Sequence, residues 1–278
     1  MAQGQQPSPM GSAPAVEHSA PPADMRYLFG SGEAAALSEQ AYNALVDHVR
    51  LTLGHSGARR SAVLAPGATL ANPRTLACGG KPPAAVFDMD ETAVLNLGYE
   101  YDQARTGARS TDERWLRWER TGIDKVAAVP GAVRAFDALR RLGVTVIVNT
   151  NRDAVAAAET ERALAFAGLG AFRHGKTLFL KGDVDGKGGK DGRRSEISRH
   201  YCVIAMGGDQ LGDFSDLFAG PKAAERRAAV MSPALRDFFG RSWFVLPNPV
   251  YGTGLYGHWD EVFPRDKRWT DPGPAGGR

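Results

Sequence analysis

The sequence predicts an α/β fold: a parallel sheet with helices on both of its faces. Three observations carry that prediction. Short apolar runs rich in β-branched residues recur at 84–88 ("AAVFD"), 144–150 ("VTVIVNT"), 177–180 ("TLFL") and 201–206 ("YCVIAM"). Stretches of helical character lie between them, so the order alternates strand and helix. The runs are apolar throughout rather than at every second position, as in strands buried on both faces of a parallel sheet.

Taken in order, residues 1 to 24 are rich in Pro, Ala, Ser, Gly and Gln and read as a flexible leader, because they offer almost no large apolar side chains to offset ordering. Residues 33 to 53 carry Leu37, Ala41, Leu45, Val49 and Leu53 at four-residue spacing, the apolar stripe of a helix that Gly54 ends. The segment 54 to 83 reads as irregular, punctuated by Pro66, Pro73, Pro82 and Pro83. The strand at 84–88 follows. Residues 97 to 129 are too long for a plain crossover and polar apart from their aromatics, which predicts an inserted cap over the sheet edge. Helices are expected at 131–142, opened by Pro130, and at 153–168, with Asp153 as cap. A lysine-rich loop, 181 to 194, separates the third strand from the fourth.

A chain of 278 residues that is 43% hydrophobic and 23% charged suits one globular domain, here residues 25 to 278. Its formal charge of +3, without long basic runs, argues against a nucleic-acid polymer as partner. No run approaches the ~18 apolar residues of a membrane span, and the first residues lack the pattern of a signal peptide. The two cysteines, Cys78 and Cys202, lack zinc or CxxC spacing and read as buried free thiols, with a disulfide between them as the alternative.

Ligands of an open parallel sheet bind beyond the carboxyl ends of its strands. There the first strand delivers Asp88 and Asp90, the second Thr150, Asn151 and Arg152, and the fourth "GGDQLGDF", with Asp209 and Asp213. Like charges crowded on one rim repel unless a cation sits among them. Magnesium suits a site of carboxylates without histidine or cysteine. Paired acids two residues apart, with a lysine nearby, fit phosphoryl transfer through an aspartyl phosphate. "GKGGK" is no P-loop, since neither Ser nor Thr follows the lysine.

These residues fall in a recognisable order. "FDMDET", "VNTNR", a lysine before the fourth strand and "GGDQLGDF" resemble the four motifs of the haloacid dehalogenase (HAD) superfamily. "ERWLRWE", "KDGRR" and "LPNPVYGTGLYGHWD" resemble features of the class C acid phosphatases and, among them, the bacterial lipoprotein 5′-nucleotidases. The likeness runs from about residue 27 to 263. It implies a HAD-like Rossmannoid sheet with a small helical cap, and a Mg²⁺-dependent phosphomonoesterase acting on nucleoside monophosphates. Residue by residue, it implies Asp88 as nucleophile, Asp90 as general acid and base with its backbone carbonyl on the metal, and Thr150 on the phosphoryl oxygens. Lys190 neutralises the intermediate, with Lys187 as the alternative. Asp209 and Asp213 join Asp88 and Asp90 at Mg²⁺, Asn151 and Arg152 bind substrate, and Trp115 and Tyr251 sandwich a nucleobase.

The chain departs from the family where it has Leu95-Asn96 for the family's Asp-Asn, and where Gln210 follows Asp209. Neither change removes a catalytic acid; both leave substrate preference open. A phosphatase or phosphotransferase for small non-nucleotide esters and a non-catalytic binding relative are the competing expectations. The resemblance further implies a periplasmic, outer-membrane-anchored or secreted protein, compatible with a homodimer. No counterpart of the family's lipidated N-terminal cysteine is visible, the first cysteine being Cys78.

Overall fold

The computed structural model describes residues 20–54, 60–184, 188–271 and 273. The expected leader lies outside the described residues up to position 19, and its last two residues open the first helix. Lys187 also lies outside them.

The chain runs through α1 (Ala23–Gly30) and α2 (Gly32–Gly54), an antiparallel pair β1 (Arg60–Leu64) and β2 (Thr75–Ala77), and then β3 (Pro83–Phe87). β4 (Val94–Leu95), α3 (Leu97–Thr106), α4 (Asp112–Thr121) and β5 (Ala127–Ala128) precede α5 (Ala132–Arg141). β6 (Thr145–Asp153), α6 (Ala157–Phe166), β7 (Leu178–Lys181), α7 (Asp191–His200) and β8 (Cys202–Gly208) continue the alternation, and α8 (Ala223–Met231), β9 (Trp243–Val245) and α9 (Trp259–Val262) follow. Asp153 caps a short 3₁₀ turn, Ala154–Ala156, ahead of α6.

β3 is the centre of a five-stranded sheet of order β7-β6-β3-β8-β9, parallel at every pairing. The chain builds outward from β3 through β6 to β7, then returns to β8 on the other side. That reversal makes the gap between β3 and β8 the topological switch point, where a ligand crevice opens. Side chains alternate between faces along β3. Ala85 and Phe87 join Tyr42, Leu45, Phe136 and Leu164 in one core, whereas Ala84 and Val86 join Val63, Ile197, Met206 and Trp243 in the other.

Four sequence expectations are corrected. The segment 54–83 holds the β1/β2 pair rather than being irregular throughout. A fifth strand, β9, extends the sheet; it is only three residues long, but Trp243 is fully buried and donates to the Ala62 carbonyl at 2.8 Å. The buried face of α2 runs through Ala34, Ser38, Tyr42, Leu45, Val46 and Val49, leaving Leu37 exposed. The helix turns this way because Tyr42 packs against Phe87 and Phe136 and donates to the Thr92 carbonyl at 2.6 Å. Finally, Cys78 and Cys202 are not free thiols but a disulfide, with Cα atoms 4.8 Å apart. Register explains it: Cys202 opens β8 opposite Pro83, and Cys78 lies in the turn just before β3.

Between β4 and β5, which pair antiparallel, α3 and α4 form the inserted segment. Thr111 caps α4 by accepting from Arg114 N at 3.2 Å. No helix among the described residues is long and apolar enough to cross a membrane.

Candidate active site

β3 ends where its neighbour β8 ends: the Asp88 amide donates to the Gly207 carbonyl at 3.0 Å. The chain then folds tightly, with the amides of Ala93 and Val94 donating to the Met89 carbonyl at 2.7 and 2.9 Å. Glu91 takes φ +56°, a left-handed conformation that costs a side-chain-bearing residue about 1–3 kcal/mol. Its carboxylate secures the turn, accepting from Asn96 N at 2.9 Å, from Asn96 Nδ2 and from the Tyr251 hydroxyl. Burial first, then Asp90, pushes Glu91 up to about 8.

Asp90 is held from β6. Arg152, 1% exposed, donates to Asp90 Oδ1 from Nε at 3.0 Å and from Nη2 at 2.8 Å, and Nη2 reaches Asn96 Oδ1 at 2.9 Å. Asn96 Nδ2 adds a bond to the same Asp90 oxygen at 3.0 Å, while Trp118 Nε1 donates to Asn96 Oδ1 at 3.0 Å. Thr150 is fully buried and donates to Asp90 Oδ2 at 3.4 Å. Thr150 and Arg152 thus stand behind Asp90 rather than in the cleft wall, although the resemblance puts both on substrate.

Lys190 sits at the amino end of α7, which begins at Asp191, earlier than the expected loop 181–194 allows for. Asp216 receives the amides of Lys190 and Asp191, both at 2.9 Å, satisfying helix-terminal donors. Arg194, fully buried, ties the same corner together through Asp191, Asp216 and the Asp213 carbonyl, the last at 2.7 Å. The approach requires Gly189, because a Cβ there would meet Asp216 Oδ2 at 2.5 Å. So anchored, Lys190 Nζ donates to Asp88 and, at 2.7 Å, to Asp213. Burial opposes the ammonium, but Asp213 and Asp88 outweigh it and hold the lysine above its usual range.

Asp209, from the end of β8, accepts from Thr92 Oγ1 at 2.9 Å, Gln210 Nε2 at 2.9 Å and Asn248 Nδ2 at 2.8 Å. Asp213 Oδ2 accepts from Gln210 N at 2.9 Å. Burial, and then Asp213, pushes Asp209 up to about 7; burial also raises Asp88, with Lys190 opposing and the neighbouring carboxylates reinforcing. Carboxylate oxygens of Asp88, Asp209 and Asp213 lie within 4.8 Å of one another. One ammonium faces three buried carboxylates, so the donor set fits a divalent cation by charge and by its all-oxygen chemistry. The Asp90 side chain is not part of this trio.

These groups open into a cleft of about 320 Å³ whose lining includes Asp88, Asp90, Asn151, Lys190, Asp209 and Asp213. Trp115, edge-on to Tyr99 with centroids 4.9 Å apart, and Tyr251 line it too. Asn151 Oδ1 accepts from Arg193 Nη2 at 2.5 Å. Sequence reasoning missed the supporting residues Asn96, Glu119, Arg194, Asp216 and Asn248. Asn96 had a signal, a lone amide inside the apolar run "AVLNLG". Glu119 of α4, 1% exposed, accepts from Asp153 N at 3.2 Å and so fastens the inserted segment to β6.

A parallel sheet whose central strand ends in two aspartates, with a lysine and two further acids converging on them, is the architecture of a hydrolase of phosphoric monoesters. Sequence comparison gives the family: the HAD superfamily, subfamily IIIB (acid phosphatase), matches residues 34–254, and the chain belongs to it. The class C acid phosphatase from Bacillus anthracis is 25% identical over 83% of this chain and 84% of that one, with a TM-score of 0.66. A structure of class C acid phosphatase from Bacillus anthracis with tungstate bound gives 24% identity, 89% and 90% coverage, and a TM-score of 0.63. The protein is accordingly an acid phosphatase whose substrate is a small phosphate ester.

Proposed function

We propose that the enzyme is Mg²⁺-dependent and hydrolyses nucleoside monophosphates through an aspartyl phosphate on Asp88. The observation that carries this reading is Lys190 Nζ, placed between Asp88 and Asp213 and able to offset charge where a phosphoryl group meets the nucleophile. A divalent cation held by Asp88, Asp209, Asp213 and the Asp90 carbonyl would supply further positive charge to the phosphoryl oxygens. In the first step an Asp88 oxygen forms a bond to phosphorus, the ester P–O bond breaks, and Asp90 gives its proton to the leaving alcohol. In the second, Asp90 takes a proton from water, the water oxygen bonds phosphorus, and the Asp88–phosphorus bond breaks to release phosphate. Arg152, Asn96 and Thr150 aim Asp90; its Oδ2, with contacts no closer than 3.3 Å, is the oxygen left to carry the proton.

Trp115 and Tyr251 on the same cleft support a flat leaving group, and residues 97 to 129 serve as the cap that brings Trp115 there. The disulfide Cys78–Cys202 supports an extracytoplasmic location, where such bonds persist. The test is turnover of nucleoside monophosphates, ribose 5-phosphate and p-nitrophenyl phosphate with Mg²⁺ and after EDTA. Nucleotides are expected to have the highest kcat/KM, with activity lost on chelation and restored by Mg²⁺. Equal rates on all esters remove the nucleotide reading, and activity untouched by EDTA removes the metal.

A further inference from the structure

The cleft has a second polar wall, on the inserted segment. α3 contributes Tyr99, Glu100 and Gln103, the Tyr99 hydroxyl lies 2.8 Å from Ser110 Oγ, and all four residues line the same cleft as the carboxylates and Lys190. Glu100 differs from its neighbours. It is 2% exposed, yet its Oε2 is buried with no hydrogen-bond partner. Arg114, the guanidinium that acts on it, is committed elsewhere: it donates to Asp102 Oδ2 at 2.7 Å and to Gln103 Oε1 at 3.3 Å, and lies 4.4 Å over the Tyr99 ring. Burial pushes Glu100 up to about 7, with Arg114 opposing and Asp24 reinforcing. A buried acceptor without a donor is costly in the free enzyme, and a ligand that donates to it recovers that cost.

We propose that Glu100 determines specificity on the leaving-group side of the cleft, accepting a hydrogen bond from the exocyclic amino group of a nucleobase stacked along Trp115 and Tyr251. The proposal rests on the nucleotide reading above and narrows it to amino-bearing bases. A carboxyl group accepts from an amino group whether it is ionised or protonated. Ionised, Glu100 sets lone pair against lone pair with a base that presents a carbonyl oxygen at that position; the protonated carboxyl would donate to that oxygen, so the discrimination belongs to the ionised form and the comparison is made above about pH 8. Adenine and cytosine are favoured on this ground, hypoxanthine and uracil disfavoured.

The test compares kcat/KM of wild type, Glu100→Gln and Glu100→Ala on the 5′-monophosphates of adenosine, inosine, cytidine and uridine, with ribose 5-phosphate and p-nitrophenyl phosphate as references. Wild type is expected to prefer adenosine over inosine, and cytidine over uridine, by about tenfold, one hydrogen bond's worth. Glu100→Ala should bring both ratios close to one, a larger change than any in the p-nitrophenyl phosphate rate. Glu100→Gln, whose amide also donates, should raise kcat/KM for the inosine and uridine esters, a gain that misfolding cannot produce. An equal loss on all six substrates in both variants overturns the proposal, as does a wild type that prefers nucleotides but ignores amino against carbonyl. A wild type that treats nucleotides and ribose 5-phosphate alike overturns the nucleotide reading itself.

Discussion

Arg152 grips Asp90 with two nitrogens, Nε at 3.0 Å and Nη2 at 2.8 Å, both on Oδ1. A planar fork fixes the orientation of a carboxylate in a way that a single ammonium does not. Arg152→Lys is therefore expected to keep the charge and the fold but lower kcat by about 10- to 100-fold, the usual cost of losing a supporting hydrogen-bond partner. Steady-state kinetics with KM measured separately check this; unchanged kcat would show that Asp90 needs no such support.

Lys190 is the only cation bonded to Asp88 and Asp213 among the described residues. Lys190→Met leaves both carboxylates buried without it, and the metal-free variant should lose about 3–5 kcal/mol of stability. Mg²⁺ should then raise the Tm of the variant by more than that of wild type, because binding to the folded state stabilises it by mass action. Thermal melts with and without EDTA measure both shifts. Equal shifts would mean that lysine and metal do not answer the same charge.

Glu119 carries a pH signature outside the carboxylate trio. Burial, against the opposing charge of Arg152, pushes it up to about 7 in the fold, from an ordinary value near 4.5. Between those values the folded protein binds more protons than the unfolded one. The stability linked to Glu119 is complete below about pH 4.5 and is lost as pH rises through about 7. Glu119→Gln keeps an acceptor for the Asp153 amide and cannot titrate. Its Tm should fall less than wild type's between pH 5 and about pH 8, in the presence of EDTA. Parallel Tm curves would place the titration elsewhere.

The Cys78–Cys202 bond closes a loop of large span, with a sequence separation of 124. Replacing both cysteines with serine should cost about 2–4 kcal/mol in urea unfolding. The active-site carboxylates, at the opposite end of β3 and β8, should keep their arrangement and the variant its kcat at low temperature.

The four principal strands were legible because each is an apolar run, and three of them, β3, β6 and β8, end in the polar residues that form the site. β9 was not: three residues carry no period, and Trp243 belongs to the sheet through Phe214, Phe238 and Phe239 packed around it. The acids Asp88, Asp90, Asp209 and Asp213 stood out by position, and Lys190 by its loop. What they lean on did not. Asp216 looks like an ordinary surface residue until the fold brings it into contact with Arg194. The disulfide, the less favoured of two readings of the cysteines, could not be chosen from sequence because it depends on which residue of β8 lies opposite Pro83.

Sheet order also sets when the enzyme can begin to work. β3, the first of the five parallel strands to leave the ribosome, sits at the centre, and its partner β8 is made more than a hundred residues later. Asp88 and Asp90 emerge early but have no Lys190, Asp209 or Asp213 to work with until the chain has grown past residue 213. A chain ending before that point holds Asp88 and Asp90 without the lysine and the two acids that surround them in the complete fold. The cluster of Asp88, Lys190, Asp209 and Asp213 is therefore assembled only from a chain that extends past residue 213.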